Sequence, residues 1–379
     1  MSPIPEYNVP GPSRSPIRVA LVGLGRIAVS HAAALQASGA AQLALVVDHR
    51  LQRCQHFSER YNVPYLDDFE ATLSRADIDA IEICTPHVTH PAFAIAAACH
   101  GKHVLTEKPL ATRIEAADAV IAAAQLHHIQ VGVVYQMRFT PAAQQLKKWI
   151  EEGAIGKPLG ARGVLTWHRP THYYAGSTWK GRWATEGGGV LINQAIHLID
   201  LMLWYLGEVT QVRAYYANVA HPEVEVEDTA QLHLRFSEGS TGIIYASTAY
   251  VADAPLFLEI IGEQGTCRLI GESALLEKKG STTRVEGTAA STGGPSYWGS
   301  GHDALIDAFY HNVQEERPFL VDAQEGRKSL AVVLAAYDSA RLNEPVSFPY
   351  SHTLTEIDPK NMPHPALVIE EEEAALRKN

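Results

Sequence analysis

The sequence predicts an α/β protein with two domains: an N-terminal doubly wound parallel sheet, and a C-terminal α+β domain built on a large, mainly antiparallel sheet. Over residues 17–134, short apolar runs alternate with helix-length segments, a cadence typical of parallel strands joined by right-handed crossovers. Beyond residue 207, several strand-like segments follow one another without helices, which indicates an antiparallel sheet. At 379 residues the chain is long enough for two cores of ordinary size.

Composition limits the environment and the partners. The net charge of −11 argues against nucleic acid or an anionic membrane as a partner. No run of about 18 apolar residues predicts a membrane span, and the Pro- and Ser-rich start of the chain lacks the apolar core of a signal peptide. We therefore expect a cytoplasmic protein divided into a flexible arm (1–16), a dinucleotide-binding domain (17–138), a substrate and oligomerisation domain (139–350) and a tail (351–379).

Cysteine and histidine spacing gives no reason to expect a metal. Cys54, Cys84, Cys99 and Cys267 show no paired ligand spacing, so we interpret them as reduced packing residues. The nearest approaches to a histidine metal pair are His87 with His90 and His168 with His172. Neither pair forms a His-x-x-x-His zinc pair on a convincing helix, so the expected metal content is none.

The first strand and helix carry a glycine fingerprint. The apolar run 17–22 is followed at once by Gly23-Leu24-Gly25-Arg26-Ile27-Ala28 and then by an Ala-rich helix to residue 37. In this G-x-G-x-x-A pattern the glycines allow a tight turn and close approach of a pyrophosphate, which the helix N-terminus stabilises. The second strand (43–47) ends at Asp48, twenty residues beyond Ala28. Strand, glycines, helix and acid together predict a Rossmann-type dinucleotide site.

The acid that ends the second strand bears on the choice of cofactor. A carboxylate at Asp48 accepts hydrogen bonds from the adenosine ribose hydroxyls and repels a 2′-phosphate, which favours NAD. Arg50 lies two residues later and is compatible with NADP. The residues expected at the cofactor are Gly23, Gly25, Arg26, Ile27, Asp48, Arg50, Thr85, Pro86, His87, His90, Glu107 and Lys108.

The rest of the first domain continues the alternation. We expect a helix over 51–61, a brief strand near residue 65, a short helix capped by Asp68, and a strand over 78–84. Thr85-Pro86-His87 then closes that strand at the carboxyl edge of the sheet, beside the cofactor. A helix over 88–99, a strand over 102–105, a helix over 113–127 and a strand over 130–134 complete the domain.

A charged turn interrupts this pattern after the strand at 102–105. The run stops at Glu107-Lys108-Pro109, and Pro109 can neither donate to a sheet nor let Lys108 continue into a helix. Lys108 is therefore predicted to lie at the carboxyl end of a strand, where open parallel sheets bind ligands. Taken alone, the motif is equally compatible with a surface Lys-Pro turn.

The second domain begins with a helix over 141–152 and a strand over 159–167. An aromatic and basic loop follows over 167–183, and three glycines (187–189) open a helix over 190–206. Strands are expected near 209–219, 227–236, 241–250, 255–262 and 265–270, and the Ser/Thr/Gly-rich segment 280–301 is expected to be a loop in which Trp298 covers the ligand. Helices over 302–315 and 323–342 close the domain.

The glycine-initiated helix carries a polar stripe. Asn193, His197 and Asp200 fall at i, i+4 and i+7, on one face. Such a stripe can be an exposed surface or a pocket wall, and the preceding glycines and aromatic loop favour the pocket wall.

These motifs resemble the Gfo/Idh/MocA oxidoreductase family. The resemblance covers about residues 16–349 and rests on Gly23-x-Gly25-x-x-Ala28, on Glu107-Lys108-Pro109, and on the Gly188-Gly189-x-x-x-Asn193-x-x-x-His197 helix. It implies NAD(P)-linked oxidation or reduction of a secondary alcohol of a sugar or cyclitol. It also implies a homodimer or homotetramer formed through the open face of the C-terminal sheet.

The resemblance implies that Lys108 and His197 handle the proton near the nicotinamide, with Asn193 beside them. An oxidised nicotinamide lowers the pKa of a neighbouring lysine, and either a lysine tuned towards neutrality or a neutral imidazole can take a hydroxyl proton. Many members of the family carry aspartate where this chain has Asn193. An amide cannot accept a proton, which shifts the base role towards His197.

An asparagine at position 193 also speaks against inositol dehydrogenase. It looks more like the subgroup that acts on sugars, glycosides, anhydrosugars or nucleotide-sugars, often at C3. The residues expected to contact a carbohydrate substrate are Tyr135, Arg138, His168, Tyr174, Trp179, Lys180, Arg182, Trp183, Asn193 and His197.

Three functions fit the sequence. The leading one is an NAD(P)-dependent sugar or glycoside dehydrogenase. The second is a glycosidase that uses tightly held NAD for transient oxidation at C3. The third is a non-catalytic regulator that senses dinucleotide, against which the presence of both Lys108 and His197 argues.

Overall fold

The computed structural model describes residues 15–287 and 300–350. Most of the predicted N-terminal arm, Trp298 and the predicted tail lie outside the described residues.

The first domain is a six-stranded parallel sheet with strand order β3-β2-β1-β4-β5-β6. Its strands are β1 (Ile17–Val22), β2 (Ala41–Val47), β3 (Tyr65–Leu66), β4 (Ala80–Ile83), β5 (His103–Thr106) and β6 (Val131–Val133). The helices that connect them are α1 (Ala28–Ala37), α2 (Leu51–Tyr61), α3 (Phe69–Leu73), α4 (His90–Cys99) and α5 (Ile114–Leu126). The predicted doubly wound sheet is confirmed.

The strand order determines where this sheet binds a ligand. β1 pairs with β2 on one side and with β4 on the other, in parallel register. The order of the strands therefore reverses at β1, and the crevice of such a sheet opens at the carboxyl ends of the strands that flank the reversal. β4 is buried along its whole length, as expected for a strand covered by helices on both faces.

The second domain is built on a nine-stranded sheet with order β14-β13-β12-β11-β7-β10-β9-β8-β15. Its strands are β7 (Pro158–Thr166), β8 (Val209–Ala217), β9 (Thr229–Phe236), β10 (Thr241–Ser247), β11 (Phe257–Gly262), β12 (Thr266–Ile270), β13 (Ser273–Lys278), β14 (Ser281–Glu286) and β15 (Val346–Ser347). Most neighbours are antiparallel, whereas β7 and β10 are parallel. This confirms the predicted, mainly antiparallel sheet.

The hairpin β13–β14 corrects one prediction. We expected a loop from residue 280, but Ser281–Glu286 pairs with β13 in antiparallel register. Lys279 and Gly280 adopt positive φ angles of 44° and 79°, which gives the tight turn that a two-residue hairpin needs. Polar residues concealed this strand, since its side chains are mostly exposed.

Within the described part of the chain, six further helices complete the second domain. They are α6 (Pro141–Glu151), α7 (Thr171–Ala175), α8 (Trp183–Glu186), α9 (Ile196–Leu206) and, after β14, α10 (Gly301–Glu315), followed by α11 (Ala323–Leu342). A π-helical turn, Leu191–Ala195, leads directly into α9. Of the described residues, one stretch, Trp183–Leu206, has the length and apolar character of a membrane span, and 83% of its most apolar window is buried in the protein. Its composition is that of a core helix.

The last two helices connect the two sheets. Ser38 at the end of α1 donates to Asp307 of α10 at 2.6 Å. On the same helix, Tyr310 donates its hydroxyl to Glu82 of β4 at 3.0 Å. The strand-like segment before α11 bonds to β6 through Val133 N and Val321 O at 2.9 Å. The last two helices of the second domain, and the segment between them, therefore also pack against the first domain.

Two side chains depart from expectation in ways that matter for the core. Cys99, interpreted as a packing residue, is exposed, whereas Cys54, Cys84 and Cys267 are buried.

Arg138, predicted to contact substrate, is only 1% exposed. Its guanidinium donates twice to Asp200, at 2.8 and 2.7 Å, and once to Glu325 at 3.0 Å. The prediction for Arg138 is therefore wrong: the guanidinium is a buried structural cation.

Removing this cation should be costly. Arg138→Met is expected to lower the free energy of unfolding by about 3–5 kcal/mol, because the Asp200 carboxylate stays buried without its partner. The double variant Arg138→Met/Asp200→Leu should recover much of that loss, since no unpaired charge remains. Urea unfolding followed by tryptophan fluorescence measures both. As a control, Arg341→Met removes a largely exposed partner of Asp338 and should cost only about 0.3–0.5 kcal/mol. Equal losses for Arg138→Met and Arg341→Met would contradict the assignment.

Candidate active site

The glycine turn after β1 has the shape of a dinucleotide cradle. Gly23 adopts φ +86°, and a Cβ there would lie 2.8 Å from the backbone of Cys84, so only glycine fits between β1 and β4. At Gly25 a Cβ would meet no protein atom within 4 Å, which leaves the open space that a pyrophosphate needs. Arg26 is exposed beside this space, and Ile27 is half-buried at the start of α1. The cradle fits the expected cofactor.

Asp48 is built into the same turn. Its side chain accepts the Leu24 N–H at 2.8 Å and the Arg50 N–H at 2.9 Å. The carboxylate is thereby fixed at the carboxyl end of β2, and lone pairs remain for ribose hydroxyls. The guanidinium of Arg53 lies 3.6 Å from it, so a cation that sequence reasoning missed stands beside the acid.

The loop after β4 forms the second wall. Thr85 and Pro86 are half-buried there, and Pro86 precedes a short 3₁₀ turn, His87–Thr89. The Nδ1 atom of His87 donates to the carbonyl oxygen of Glu186 at 2.9 Å, which connects this loop to the second domain.

His90 is a structural residue, which corrects its prediction as a cofactor contact. It is fully buried, and its ring nitrogens lie 2.7 and 2.8 Å from the carbonyl oxygens of Pro109 and Thr85. The ring thus fastens the Lys108 turn, whose Lys108–Pro109 peptide bond is cis, to the loop after β4.

Lys108 lies at the carboxyl end of β5, and the alternative of a free surface turn is excluded. Its ammonium donates to the backbone oxygen of Asn193 at 2.7 Å and to the Oδ1 atom of Asn193 at 3.1 Å. Burial lowers the pKa of Lys108 from its ordinary value, while the negative charges of Glu107 and Glu186 act in the opposite direction. The site therefore holds the lysine as a partly desolvated cation.

Glu107 is buried, and its carboxylate is held by groups of the protein, so its contact with the cofactor stays a prediction. One carboxylate oxygen lies 3.2 Å from His31 and the other accepts the Lys108 N–H at 3.1 Å. Although burial opposes ionisation, the hydrogen bond and positive charge of His31 hold the pKa of Glu107 at about 2. Glu107 thus fixes the backbone of Lys108 through this hydrogen bond.

The same carboxylate belongs to a compact buried group. Within the described ranges, His31, Glu107 and His302 are the three side chains whose ligand atoms lie within 4.8 Å of one another. The second nitrogen of His31 lies 2.8 Å from Glu82, so both of its nitrogens have carboxylate partners. These contacts describe a hydrogen-bonded ionic network. The histidine pairs considered in the sequence are separate from this group.

Asn193 is held between a cation and an anion. Its Oδ1 atom faces Lys108, and its Nδ2 atom donates to Glu186 at 2.5 Å. Glu186 is 1% exposed and also accepts the Gly181 N–H. Burial raises the pKa of Glu186 to about 7, against those two hydrogen bonds. Sequence reasoning missed Glu186. The only signal for it was a carboxylate directly before the glycine run.

His197 lies one helical turn beyond Asn193 and is 7% exposed. Its ring meets that of Tyr135 edge-on at 5.9 Å. The Nδ1 atom is buried and has no hydrogen-bond partner among the residues described. Burial and the nearby charge of Lys108 lower the pKa of His197 to about 3. The imidazole is therefore neutral, with an unused ring nitrogen.

The aromatic loop adds a second lysine to the site. The ammonium of Lys180 lies 3.7 Å from the ring centre of Tyr173, whose hydroxyl is 3.5 Å from Asn193 Nδ2. The ring of Trp179 packs against His87 at 4.7 Å. Burial lowers the pKa of Lys180 to about 8. The sequence prediction named Tyr174 and not Tyr173, whereas the Tyr173 hydroxyl is the one that lies near Asn193.

Four predicted substrate residues are not brought to this cluster by their observed contacts. Tyr174 is 8% exposed and packs against His221. His168 bonds to the backbone of Tyr250 at 2.6 Å. Trp183 donates its indole N–H to Glu225 O and packs against Tyr337, while Arg182 is exposed at the start of α8. For these four residues, contact with substrate stays a prediction.

Comparison with known proteins supplies the family. A family model described as "Oxidoreductase family, NAD-binding Rossmann fold" matches residues 17–135, and one described as "GFO/IDH/MocA C-terminal domain" matches residues 143–268. Levoglucosan dehydrogenase from Pseudarthrobacter phenanthrenivorans is 30% identical over 223 residues, which span 52% of this chain and 57% of that protein.

Two longer matches extend over most of the chain. The scyllo-inositol 2-dehydrogenase (NAD(+)) of Bacillus subtilis is 27% identical over 358 residues, covering 89% of this chain and 98% of that protein. The solved structure of the WlbA dehydrogenase from Bordetella pertussis, in complex with NADH and UDP-GlcNAcA, is 30% identical with a TM-score of 0.78, covering 89% of this chain and 100% of that one. The chain is thus an NAD(P)-dependent oxidoreductase that belongs to the Gfo/Idh/MocA family and binds NAD through its Rossmann domain.

Proposed function

We propose that the protein moves a hydride between NAD and a secondary hydroxyl of a sugar, anhydrosugar or glycoside. The observation that carries this proposal is the meeting of Lys108, Asn193 and a neutral His197 at the carboxyl edge of the Rossmann sheet. Relatives named for levoglucosan and scyllo-inositol, and a structural neighbour solved with UDP-GlcNAcA, support a carbohydrate substrate.

The cofactor would be held by residues of the first domain. Gly25 leaves space for the pyrophosphate, Arg26 offers a cation beside it, and Asp48 offers its carboxylate to the ribose. Bound NAD supplies the two-electron acceptor for oxidation of the alcohol.

The protein's own task is to manage the hydroxyl proton. Lysine has three N–H donors, and two of those of Lys108 go to Asn193. The third is free to donate to the substrate oxygen and to stabilise negative charge that develops there. His197 is neutral beside Lys108, and the proposal assigns the hydroxyl proton to its imidazole as the C–H bond breaks.

The wall of the substrate pocket is assigned to three residues of the aromatic loop. Tyr173 and Trp179 present ring faces near the site, and Lys180 presents an ammonium. Rings of this kind stack on the C–H faces of a sugar, and the ammonium donates to its hydroxyls.

Loss of either proton-handling group should abolish most of the activity. The wild-type protein, mixed with NAD and a panel of pyranoses, cyclitols, anhydrosugars and glycosides, should give reduced nicotinamide with one substrate class. With that substrate, Lys108→Ala and His197→Ala should lower kcat about 10²–10⁴-fold, because each removes a group that acts on the proton in the transition state. Binding of NAD should persist in both.

Lys102→Ala is the matched control, since this lysine lies just before β5, at the opposite end from Lys108, and donates to backbone carbonyls of Arg75 and Ile78. Near-normal turnover in both site variants would refute the mechanism. Release of an aglycone without net reduction of the cofactor would select the NAD-dependent glycosidase instead. Cofactor binding without chemistry on any substrate would select the sensor.

The choice between NAD and NADP should depend on Asp48. Asp48→Ser removes the negative charge but leaves Arg50 and Arg53, so the ratio of NADPH to NADH affinity should rise at least about tenfold, equivalent to ~1.4 kcal/mol. Fluorescence titration with both reduced cofactors measures the ratio. Asp79→Ser, at the opposite edge of the sheet and bonded to Arg18, should leave it unchanged. An unaltered ratio in Asp48→Ser would show that this acid does not discriminate.

We further propose that the open face of the nine-stranded sheet forms a homodimer or homotetramer contact. One cross-strand row places Tyr215, Tyr245, Phe257 and Ile270 on the same face. Ile243, two residues from Tyr245, is 49% exposed on that face. An apolar sheet surface of this kind is typical of subunit contacts.

A charge in this face should reduce the assembly. Ile243→Arg is expected to lower the mass measured by sedimentation velocity from that of a dimer or tetramer, because the guanidinium would be buried without a partner. Leu126→Arg, on α5 and 71% exposed, should leave the mass unchanged. A wild-type monomer, or an unchanged mass in Ile243→Arg, would rule this face out.

A further inference from the structure

We propose that Glu186 is the positioning carboxylate of this site and that it acts on Lys108 through the Asn193 amide. In this arrangement Glu186 supplies the negative charge that an aspartate supplies at position 193 in many proteins this sequence resembles. The inference rests on the proposed function, because Lys108 matters here as the group that holds the substrate oxygen.

A continuous chain of hydrogen bonds carries the proposal. Lys108 Nζ donates to Asn193 Oδ1 at 3.1 Å, and Asn193 Nδ2 donates to Glu186 Oε1 at 2.5 Å. The second oxygen of Glu186 accepts the Gly181 N–H at 2.5 Å. A lysine can only donate and a carboxylate can only accept, so the two neighbours fix which way the amide points.

The same geometry explains why an asparagine stands at position 193. If position 193 were an aspartate, one of its carboxylate oxygens would take the place of the amide nitrogen and lie within hydrogen-bond distance of Glu186 Oε1. Two carboxylates so close cannot both ionise, and one would hold a proton. With Glu186 in place, an amide satisfies the cation on one side and the anion on the other without that conflict.

The surrounding charges are consistent with a coupled pair. The charged groups that act on Lys108 are Glu107, Glu186, Lys180 and Arg169, and the rings near it belong to His87, His90, His197 and His302. Those that act on Glu186 are Lys108 and Lys180, with Tyr173, Tyr174 and Tyr337 among its titratable neighbours. Because burial raises the pKa of Glu186 only to about 7, the carboxylate is ionised over the alkaline range in which a lysine titrates. Its charge therefore raises the pKa of Lys108.

Glu227 offers a matched control within the same region. It is buried, and burial raises its pKa to about 7 as well. It accepts the N–H groups of Gly189 and Leu191 and the hydroxyl of Tyr337. Glu227 thus also fastens the start of the site helix, but within the described part of the chain its carboxylate bonds to neither Asn193 nor Lys108. A substitution there reports the structural cost of losing a buried glutamate.

The test measures the titration of Lys108 without any substrate. Wild type, Glu186→Gln, Glu227→Gln and Glu186→Gln/Asn193→Asp are treated with an amine-reactive acetylating reagent over a range of pH. Peptide mass spectrometry then gives the rate of modification at Lys108 and, as an internal reference, at Lys148 on the surface of α6. Circular dichroism establishes that each variant is folded.

The midpoint for Lys108 should fall by roughly one pH unit in Glu186→Gln, because a negative charge that favours the ammonium is lost. It should return to or above the wild-type value in Glu186→Gln/Asn193→Asp. This double variant restores the negative charge at position 193, which contacts Lys108 directly. It should stay unchanged in Glu227→Gln. Once a substrate is known, the alkaline limit of kcat/KM should move in the same order.

An unchanged Lys108 midpoint in Glu186→Gln would overturn the proposal, as would an equal shift in Glu227→Gln. If Glu186→Gln does not fold, Glu186→Asp takes its place: it keeps the charge but shortens the side chain, so the midpoint should hold while kcat falls. A lowered Lys108 midpoint in Glu186→Asp would contradict the proposal that the negative charge at position 186 raises the pKa of Lys108. Because labelling needs no turnover, these outcomes are independent of whether the dehydrogenase assay succeeds.

Discussion

The contact between the Lys108 ammonium and Asn193 is the interaction on which the rest of the site depends. Lys108 ends a strand of the Rossmann sheet, whereas Asn193 belongs to the core helix of the second domain. A desolvated ammonium is unfavourable unless acceptors surround it, and both acceptors at 2.7 and 3.1 Å come from the other domain. The contact that orients the lysine is therefore also a contact between domains. His87 adds a second one through the Glu186 carbonyl. Movement of one domain against the other would break the site and the interface together.

Two buried ionic networks hold the groups that make this contact. Glu107, directly before Lys108, bonds to His31, which also faces Glu82. Asp200, three residues beyond His197, is clamped by Arg138. Each network lies within one turn of a proposed proton-handling residue, and each includes or contacts α10 or α11 through Tyr310 or Glu325. Helices α10 and α11 thus help to fix both Lys108 and His197 in place. Networks of this kind are strongly destabilised when one member is removed.

The features that could be predicted from the sequence are those that depend on residues close together in the chain. The parallel sheet follows from strand–helix alternation, the cradle from Gly23, Gly25 and Asp48, and the Lys108 turn from Pro109. The pairing of Asn193 with His197 follows from helical periodicity. Long-range partners could not be read in the same way. Arg138 was predicted to contact a ligand because the residues near it in the sequence do not indicate its partner Asp200, which lies 62 positions away. Glu186 and Tyr173 were missed for a related reason, because the orientation of a loop residue depends on contacts with distant elements. β14 was missed because its side chains are polar and exposed.

The π-helical turn that opens α9 explains how a helix can offer a backbone acceptor to Lys108. In an α-helix every interior carbonyl accepts from the residue four positions ahead. A π turn shifts that pattern by one residue, which changes the partners of its carbonyls. Leu191–Ala195 is such a turn, and Asn193 lies at its centre. The backbone oxygen of Asn193 accepts from Lys108 while its side chain spans the gap from Lys108 to Glu186. Backbone and side chain of one residue thereby hold the ammonium. The glycine run 187–189 makes the turn possible, because a Cβ at Gly189 would lie 1.8 Å from the Glu227 carbonyl oxygen. The asparagine, the glutamate and the glycines thus form a single structural unit.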